Sequence, residues 1–184
     1  IQPFQTKDIK ALLQDETTKD FQITIDGHEF PVHKFLLAAR SLTLAELLKN
    51  NPEVENLNLV DISVEIFEII LKFLYTDELP GDDGTNFMLL FAAADKLKIQ
   101  ELKNYAAAKI IQMITEENAL DILKLGNKYD HEEMRFKAFE EVLQRVPVAP
   151  SVSYDKSSEI FGTRVFNKKA MRDFMPKEAY ESVV

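Results

Sequence analysis

Residues 31–41 read PVHKFLLAARS, and this short apolar stretch carries three charged or titratable side chains, those of His33, Lys34 and Arg40. Burying such groups without partners costs on the order of a few kcal/mol each. We therefore expect each group either to face solvent or to find a counter-charge elsewhere in the fold. From Lys34 onward the apolar residues recur at a helical period, which predicts a helix followed closely by a second one over residues 42–49.

The segment before this stretch predicts a β-hairpin. Residues 21–25 and 28–32 both alternate apolar and polar side chains, as half-buried strands do. The pair Asp26-Gly27 between them supplies the two positive φ angles that a type I′ turn requires. We therefore expect two antiparallel strands that lead directly into the helix.

The rest of the chain is predicted to be mainly helical. Periodicity and capping predict a short helix over residues 9–13, a short strand over 57–60, and helices over 64–75, 86–97, 100–113, 116–128 and 132–143. Residues 146–158 hold two prolines and four serines without a period, so we expect a linker or long loop. For the tail two interpretations are open. It completes the preceding helical region, which we favour because its apolar pairs need a surface to bury against, or residues 161–184 fold on a partner.

The composition restricts the classes of function. Of 184 residues, 22 are basic and 31 acidic, which gives a net charge of -9. An acidic surface repels phosphate backbones, so we expect no direct nucleic-acid binding. The absence of cysteine excludes disulfides and thiolate metal sites, and no apolar run approaches the roughly 18 residues of a membrane span. We expect an intracellular domain, nuclear or cytoplasmic. Because the first residue is isoleucine, we also expect a piece of a longer protein.

No arrangement of residues predicts catalysis. His28, His33 and His131 lack a metal-ligand spacing, and the five glycines form no phosphate-binding loop. Ser41, His33 and an aspartate can be written as a triad, but the serine lacks a nucleophile-elbow context. We therefore expect no enzymatic activity, no metal and no cofactor, and a role in protein binding.

Six short blocks lie between residues 20 and 96: DFQI (20–23), DG (26–27), FPVHK (30–34), LAARS (37–41), FLYT (73–76) and AAADK (92–96). In this order and spacing they resemble a BTB/POZ domain. The segment ENALDILKL (117–125) and the helix after it are similar to the 3-box, the start of a BACK-type helical extension. The combination is nearest to the speckle-type POZ group.

The resemblance implies an α+β fold, in which a small mixed sheet is flanked by helices and followed by a C-terminal helical extension. It also implies a division of the chain: an N-terminal segment with a short helix (1–19), the BTB/POZ domain (20–114), the 3-box and the start of BACK-type helices (115–145), the linker or long loop (146–158) and a C-terminal helical segment (159–184). Such a module has no catalytic activity of its own.

Self-association is the first binding property that the resemblance implies. The aspartate and arginine matching Asp20 and Arg40 contribute to a charged pocket near a homodimer interface in the family, which makes Asp20 the expected counter-charge of Arg40. The alternative, that such a pair only orients the helix on the hairpin, stays open. We interpret His33 as a hydrogen-bonded part of the fold rather than an acid or base. The apolar turn with Ile9, Leu12 and Leu13 is expected to pack across the two-fold axis.

A cullin-3 scaffold is the second partner that the resemblance implies, since many family members act as substrate adaptors of ubiquitin ligases. The candidate cullin-facing residues are Leu48, Pro52, Glu53, Val54, Glu55, Tyr75, Asn127 and Tyr129. Cullin-binding members tend to carry an apolar residue, any residue and then glutamate in this segment, and residues 51–55 contain no strictly matching triplet. The alternative is a scaffold for transcriptional or chromatin regulation that recruits co-regulators. In either case the substrate or co-regulator is unidentified.

Overall fold

The computed structural model describes residues 6–143. The elements are α1 (Thr6–Leu12), β1 (Phe21–Ile25), β2 (His28–Val32), α2 (Lys34–Arg40), α3 (Leu42–Asn50), β3 (Asn56–Asn58), α4 (Val64–Thr76), α5 (Phe87–Lys96), α6 (Gln100–Gln112), α7 (Ala119–Lys128) and α8 (Glu132–Leu143). Within these residues the fold is α+β, with a small mixed sheet and helices, so the expected fold class is confirmed. The linker and tail predicted over residues 146–184 lie outside the described residues.

The sheet has the strand order β2-β1-β3. The hairpin pairs β1 and β2 antiparallel, and its turn has positive φ at both Asp26 (48°) and Gly27 (82°), which confirms the predicted hairpin and turn. The third strand runs parallel to β1, with Leu57 opposite Ile23. It begins at Asn56 rather than at residue 57. It ends at Asn58 rather than at residue 60, because the chain leaves the sheet after Leu59 and turns at Asp61, where φ is 59°.

Pro31 lies in β2 without breaking the ladder. The N–H of Gln22, the residue opposite, donates to Glu55 O on the β3 side. Backbone groups alternate sides along a strand, so Gln22 and Pro31 occupy a position without mutual hydrogen bonds. The missing N–H of Pro31 therefore faces the outer edge of β2, where a proline is tolerated and where it removes a donor that could pair with another strand.

Ser41 separates α2 from α3 and caps the second helix. Its backbone is extended (φ -130°, ψ 115°), its Oγ accepts the N–H of Leu44, and its hydroxyl donates to Leu97 O. The side chain is buried, so these bonds also satisfy a hydroxyl that would otherwise be costly to bury. Ser41, the last residue of the 31–41 stretch, is thus the N-cap of α3.

The chain divides into two units between Ala107 and Ala108. In the first, α4 contacts α1, α2 and α5, and the ring of its Phe67 lies 5.0 Å from that of Phe30 on β2. In the second, α7 packs on α8. At their contact a Cβ on Gly126 would lie 2.8 Å from Arg135 Cγ, so the two helices approach too closely for a larger residue.

The start of α7 differs from the prediction. The helix begins at Ala119 rather than at residue 116. The amide oxygen of Asn118 accepts the N–H of Thr115, and its Nδ2 donates to Met113 O. These bonds close a turn over residues 115–118, and an asparagine side chain favours such a turn over another helical turn.

Candidate interaction surfaces

Asp20 and Arg40 lie at opposite ends of α2 and have different partners. Asp20 Oδ1 accepts a 2.7 Å hydrogen bond from the N–H of Lys34, the first residue of the helix. Arg40, the last residue, pairs with Asp77 and lies 5.5 Å from the ring centroid of Phe73. The helix length between these ends is about 9 Å. The prediction that Asp20 pairs with Arg40 is therefore wrong within this chain. Asp20 caps the helix, and Asp77 supplies the counter-charge.

His33 is buried, with 3% of its surface exposed, and is hydrogen-bonded at both ring nitrogens. Nδ1 lies 2.8 Å from Tyr75 Oη, which also accepts the His33 backbone N–H at 3.1 Å. Nε2 lies 2.9 Å from Thr18 Oγ1, whose hydroxyl donates to Asp15. One proton arrangement satisfies all these groups: Tyr75 donates to Nδ1, and neutral His33 donates from Nε2. His33 is thus a hydrogen-bonded part of the fold.

The two ends of this network have shifted pKa values. Burial raises the pKa of Tyr75 above its ordinary value of 10.0, and the charges of Asp20 and Glu16 add to the increase, while the hydrogen bond from the His33 backbone opposes it. The hydroxyl and amide of Thr17 lower the pKa of Asp15 below 3.8. The network therefore favours a neutral phenol inside and a carboxylate at its outer end.

The first helix packs on α4 of the same chain. Its neighbourhood contains the apolar side chains that are expected to meet a second copy, Ile9, Leu12 and Leu13, and each of them is half-buried. Packing on the chain's own α4 therefore accounts for part of their burial. The exposed remainder is available for self-association.

Charged residues link α1 to the end of α4. Glu78, just after α4, pairs with Lys10 of α1 and with Lys72 of α4. A hydrogen bond from Lys10, and to a lesser degree one from Lys72, lowers the pKa of Glu78 below 4.5. A groove of about 620 Å³ lies beside these charges, with apolar lining from Leu13, Phe30 and Leu71.

The loop between α3 and β3, residues 51–55, is the first candidate cullin-facing surface. Three of its predicted residues are exposed and one is half-buried: Pro52, Glu53 and Glu55, and then Val54. Glu55 O accepts the N–H of Gln22 at 3.0 Å, and Pro52 O accepts a 3.0 Å hydrogen bond from Lys34 Nζ. The loop therefore presents its side chains to solvent while its backbone is held by β1 and α2.

Two of the candidate cullin-facing residues are buried, so the prediction that they face a partner is wrong for them. Tyr75 is 1% exposed and its hydroxyl points at His33, while Leu48 is 8% exposed on α3. The helix that holds Tyr75, Val64–Thr76, is apolar on most sides, a pattern that favours burial, and the Tyr75 hydroxyl hydrogen-bonds to His33.

The remaining candidates lie in the second unit. Tyr129 follows the last residue of α7, and Lys128 Nζ lies 5.2 Å from its ring centroid. Asn127 and Tyr129 are both half-buried. They stay candidates on the basis of partial exposure alone.

Among the exposed apolar side chains that were not predicted as binding residues, two lie on the consecutive helices α2 and α3. Phe35 on α2 is 57% exposed and Leu42 at the start of α3 is 61% exposed. Large exposed apolar side chains on neighbouring helices are typical of interaction surfaces. The sequence signal was present, because Phe35 precedes Leu36 and Leu37, and an amphipathic helix that buries one face leaves one of three consecutive apolar side chains exposed.

Among residues 6–143 no group of three or more histidine, cysteine, aspartate or glutamate side chains could hold a metal ion. No helix in the same part of the chain has the length and apolar character needed to cross a membrane.

The sequence matches the family model described as the BTB/POZ domain over residues 9–114. Protein maternal effect lethal 26 of Caenorhabditis elegans is 27% identical over 143 residues, which cover 76% of this chain and 36% of that protein. BTB/POZ and MATH domain-containing protein 6 of Arabidopsis thaliana is 28% identical over 141 residues, which cover 65% of this chain and 34% of that protein. The chain thus spans about a third of the length of these two relatives.

Solved structures show the same fold. The BTB domain of human gigaxonin is similar with a TM-score of 0.50 and 25% identity, covering 58% of this chain and 96% of that one. The BTB domain of zebrafish PATZ1 has a TM-score of 0.52 and 22% identity, covering 61% and 99% respectively.

Proposed function

Because this chain belongs to the BTB/POZ domain family, whose members are protein–protein interaction modules, we propose that it is a homodimeric substrate adaptor for a cullin-3 RING ubiquitin ligase. It would join two copies of itself, hold the cullin scaffold, and leave substrate recruitment to another part of the protein. The proposal includes the 3-box and BACK-type assignment of residues 115–145, the other segment boundaries given above, and the placement near the speckle-type POZ group.

The observation that carries the proposal is the extent of the similarity beyond the domain. The match to maternal effect lethal 26 covers 76% of this chain, more than residues 1–114 can supply. It must therefore continue into the segment that holds α7 and α8. A helical hairpin directly after a BTB domain supports a 3-box, and the name of the Arabidopsis relative supports a MATH-BTB architecture for the whole protein.

The cullin contact is tested by titrating the chain into purified cullin-3 N-terminal domain in a calorimeter. We expect binding in the micromolar range, weakened by Glu53→Lys because that side chain is exposed in the 51–55 loop. Asp83→Lys makes the same charge change in a different exposed loop and should leave the affinity unchanged.

A dissociation constant of tens of micromolar corresponds to a binding free energy of only about -6 to -7 kcal/mol. If no binding is detected at such concentrations, the adaptor hypothesis is rejected. The scaffold for transcriptional or chromatin regulation would then be the better hypothesis. An equal loss for Glu53→Lys and Asp83→Lys would locate the effect in the overall charge rather than in the loop.

Homodimerisation is tested by light scattering of the purified chain at tens of micromolar. We expect a dimer that is weakened by Phe35→Glu and Leu42→Glu, because these side chains are exposed apolar groups beside the predicted self-association residues. Leu89→Glu is the matched control, since Leu89 on α5 is also 52% exposed. A monomeric wild type would reject the dimer, and a dimer lost only in Leu89→Glu would move the interface to α5.

A further inference from the structure

Lys34 connects the start of α2 to the 51–55 loop. Its Nζ donates to Pro52 O at 3.0 Å. The loop is otherwise held mainly near its ends: Asn51 donates through its N–H and its Nδ2 to Leu47 O, and Glu55 O accepts from Gln22 in the ladder. Pro52 thus lies between two anchored ends, and Lys34 is the side chain that reaches it.

The lysine is itself held firmly at its base. Its N–H donates to Asp20 Oδ1 at 2.7 Å, so its backbone is fixed at the helix start. Its Nζ also lies 5.4 Å from the ring centroid of Phe21, which is 4% exposed. The side chain is half-buried, and a cation near an aromatic face gains a further attraction when it is partly desolvated. The ammonium group therefore reaches the loop from a defined position.

The loop bends where the lysine meets it. Val54 donates its N–H to Asn51 O at 3.2 Å, which closes a turn around Pro52 and Glu53. A cation bound to the carbonyl at position 52 stabilises this turn. Without it the ends of the loop stay anchored, and its middle gains freedom.

We propose that Lys34 is a positioning residue for partner binding: through Pro52 O it holds the 51–55 loop in the conformation in which Glu53 and Val54 meet the cullin scaffold. This inference rests on the proposed function, and it deepens it by naming a residue that acts on partner binding through the conformation of the 51–55 loop. Binding to a loop that is already ordered loses less conformational entropy, so removing Lys34 lowers the affinity.

The test compares three variants by amide hydrogen exchange of Val54 and by calorimetry with the cullin-3 N-terminal domain. Lys34→Met keeps the stem on Phe21 and removes the donor. We expect exchange of the Val54 amide to accelerate and the affinity to fall, each by about two- to fivefold, the range of an exposed hydrogen bond from a charged group. Lys34→Arg retains a donor and should restore most of both.

Lys49→Met is the matched control, because Lys49 is exposed in the last turn of α3 and its loss changes the net charge equally. It should leave both readouts unchanged. Melting temperature and far-UV circular dichroism identify any variant that fails to fold, and Lys34→Arg then carries the comparison.

Wild-type exchange and affinity in Lys34→Met would overturn the proposal. Faster exchange with unchanged affinity would overturn it too, since the loop conformation would then not matter to the partner. Equal effects of Lys34→Met and Lys49→Met would assign the change to charge alone and would also overturn it. If the wild type does not bind cullin, the proposed function fails, and the exchange readout still decides whether Lys34 orders the loop.

Discussion

Replacing Tyr75 with phenylalanine removes the hydroxyl at the centre of the His33 network and leaves the ring in place. Two buried polar groups of His33 lose their partner, the backbone N–H at 3.1 Å and Nδ1 at 2.8 Å. Since each orphaned buried group costs about 1–2 kcal/mol, we expect Tyr75→Phe to lower the free energy of unfolding by about 2–4 kcal/mol.

The assay is urea unfolding at pH 7 followed by far-UV circular dichroism. Tyr105→Phe is the matched control, because it removes a part-buried tyrosine hydroxyl that donates to the carbonyl of Pro80. The control should lose about 0.5–1.5 kcal/mol. A Tyr75→Phe protein within about 0.5 kcal/mol of wild type, the usual range of a surface change, or one more stable than Tyr105→Phe, would refute the network as a stabilising element.

The same hydroxyl gives a pH dependence with a definite sign. The folded-state pKa of Tyr75 lies above its ordinary value of 10.0, mainly because of burial. The folded protein therefore holds this proton more tightly than the unfolded chain, and stability falls as pH rises through 10 towards the folded pKa. The slope of unfolding free energy against pH between 9.5 and 11 should be less negative in Tyr75→Phe than in wild type, and equal slopes would contradict the raised pKa.

Three further predictions concern single sites in the described residues. Asp20→Ala should lower the unfolding free energy by about 0.5–2 kcal/mol because it uncaps α2, while Asp20→Asn should retain most of the capping; equal losses in urea unfolding would count against the cap. Gly126→Ala should destabilise the α7–α8 contact by about 1–3 kcal/mol despite alanine's higher helix propensity, and Gly81→Ala, which meets nothing within 4 Å, should be nearly neutral; a stabilised Gly126→Ala would contradict the close approach. In an NMR titration the carboxyl of Glu78 should have its midpoint below 4.5, and Lys10→Met should raise that midpoint; since the folded pKa is depressed, the stability gained from this pair is lost as pH falls through it.

Local signals predicted the hairpin and the helix pair well. The alternation of residues 21–25 and the Asp26-Gly27 turn depend only on neighbours in sequence, and the structure has both. The cap at Ser41 was not predicted, although its position between two helical periods is a local feature. The fold class was predicted from the resemblance of the six sequence blocks to the BTB/POZ family.

The residues with which individual side chains pair inside the fold could not be predicted in the same way. Arg40 pairs with Asp77, 37 residues away, and Asp77 is in reach because it ends α4 in a left-handed conformation (φ 57°). No local pattern identifies that contact, and the family resemblance favoured Asp20 instead. Tyr75 shows the opposite case. The apolar helix around it predicted burial, and only the resemblance placed it on the surface.

Sedimentation velocity of the chain with and without the cullin-3 N-terminal domain tests the proposed dimer and the proposed cullin contact in one measurement. We predict a species of twice 21.1 kDa for the chain alone, and a larger complex with two cullin domains per dimer in the mixture. A chain that sediments at 21.1 kDa at every concentration, and that never moves with the cullin domain, would contradict the account.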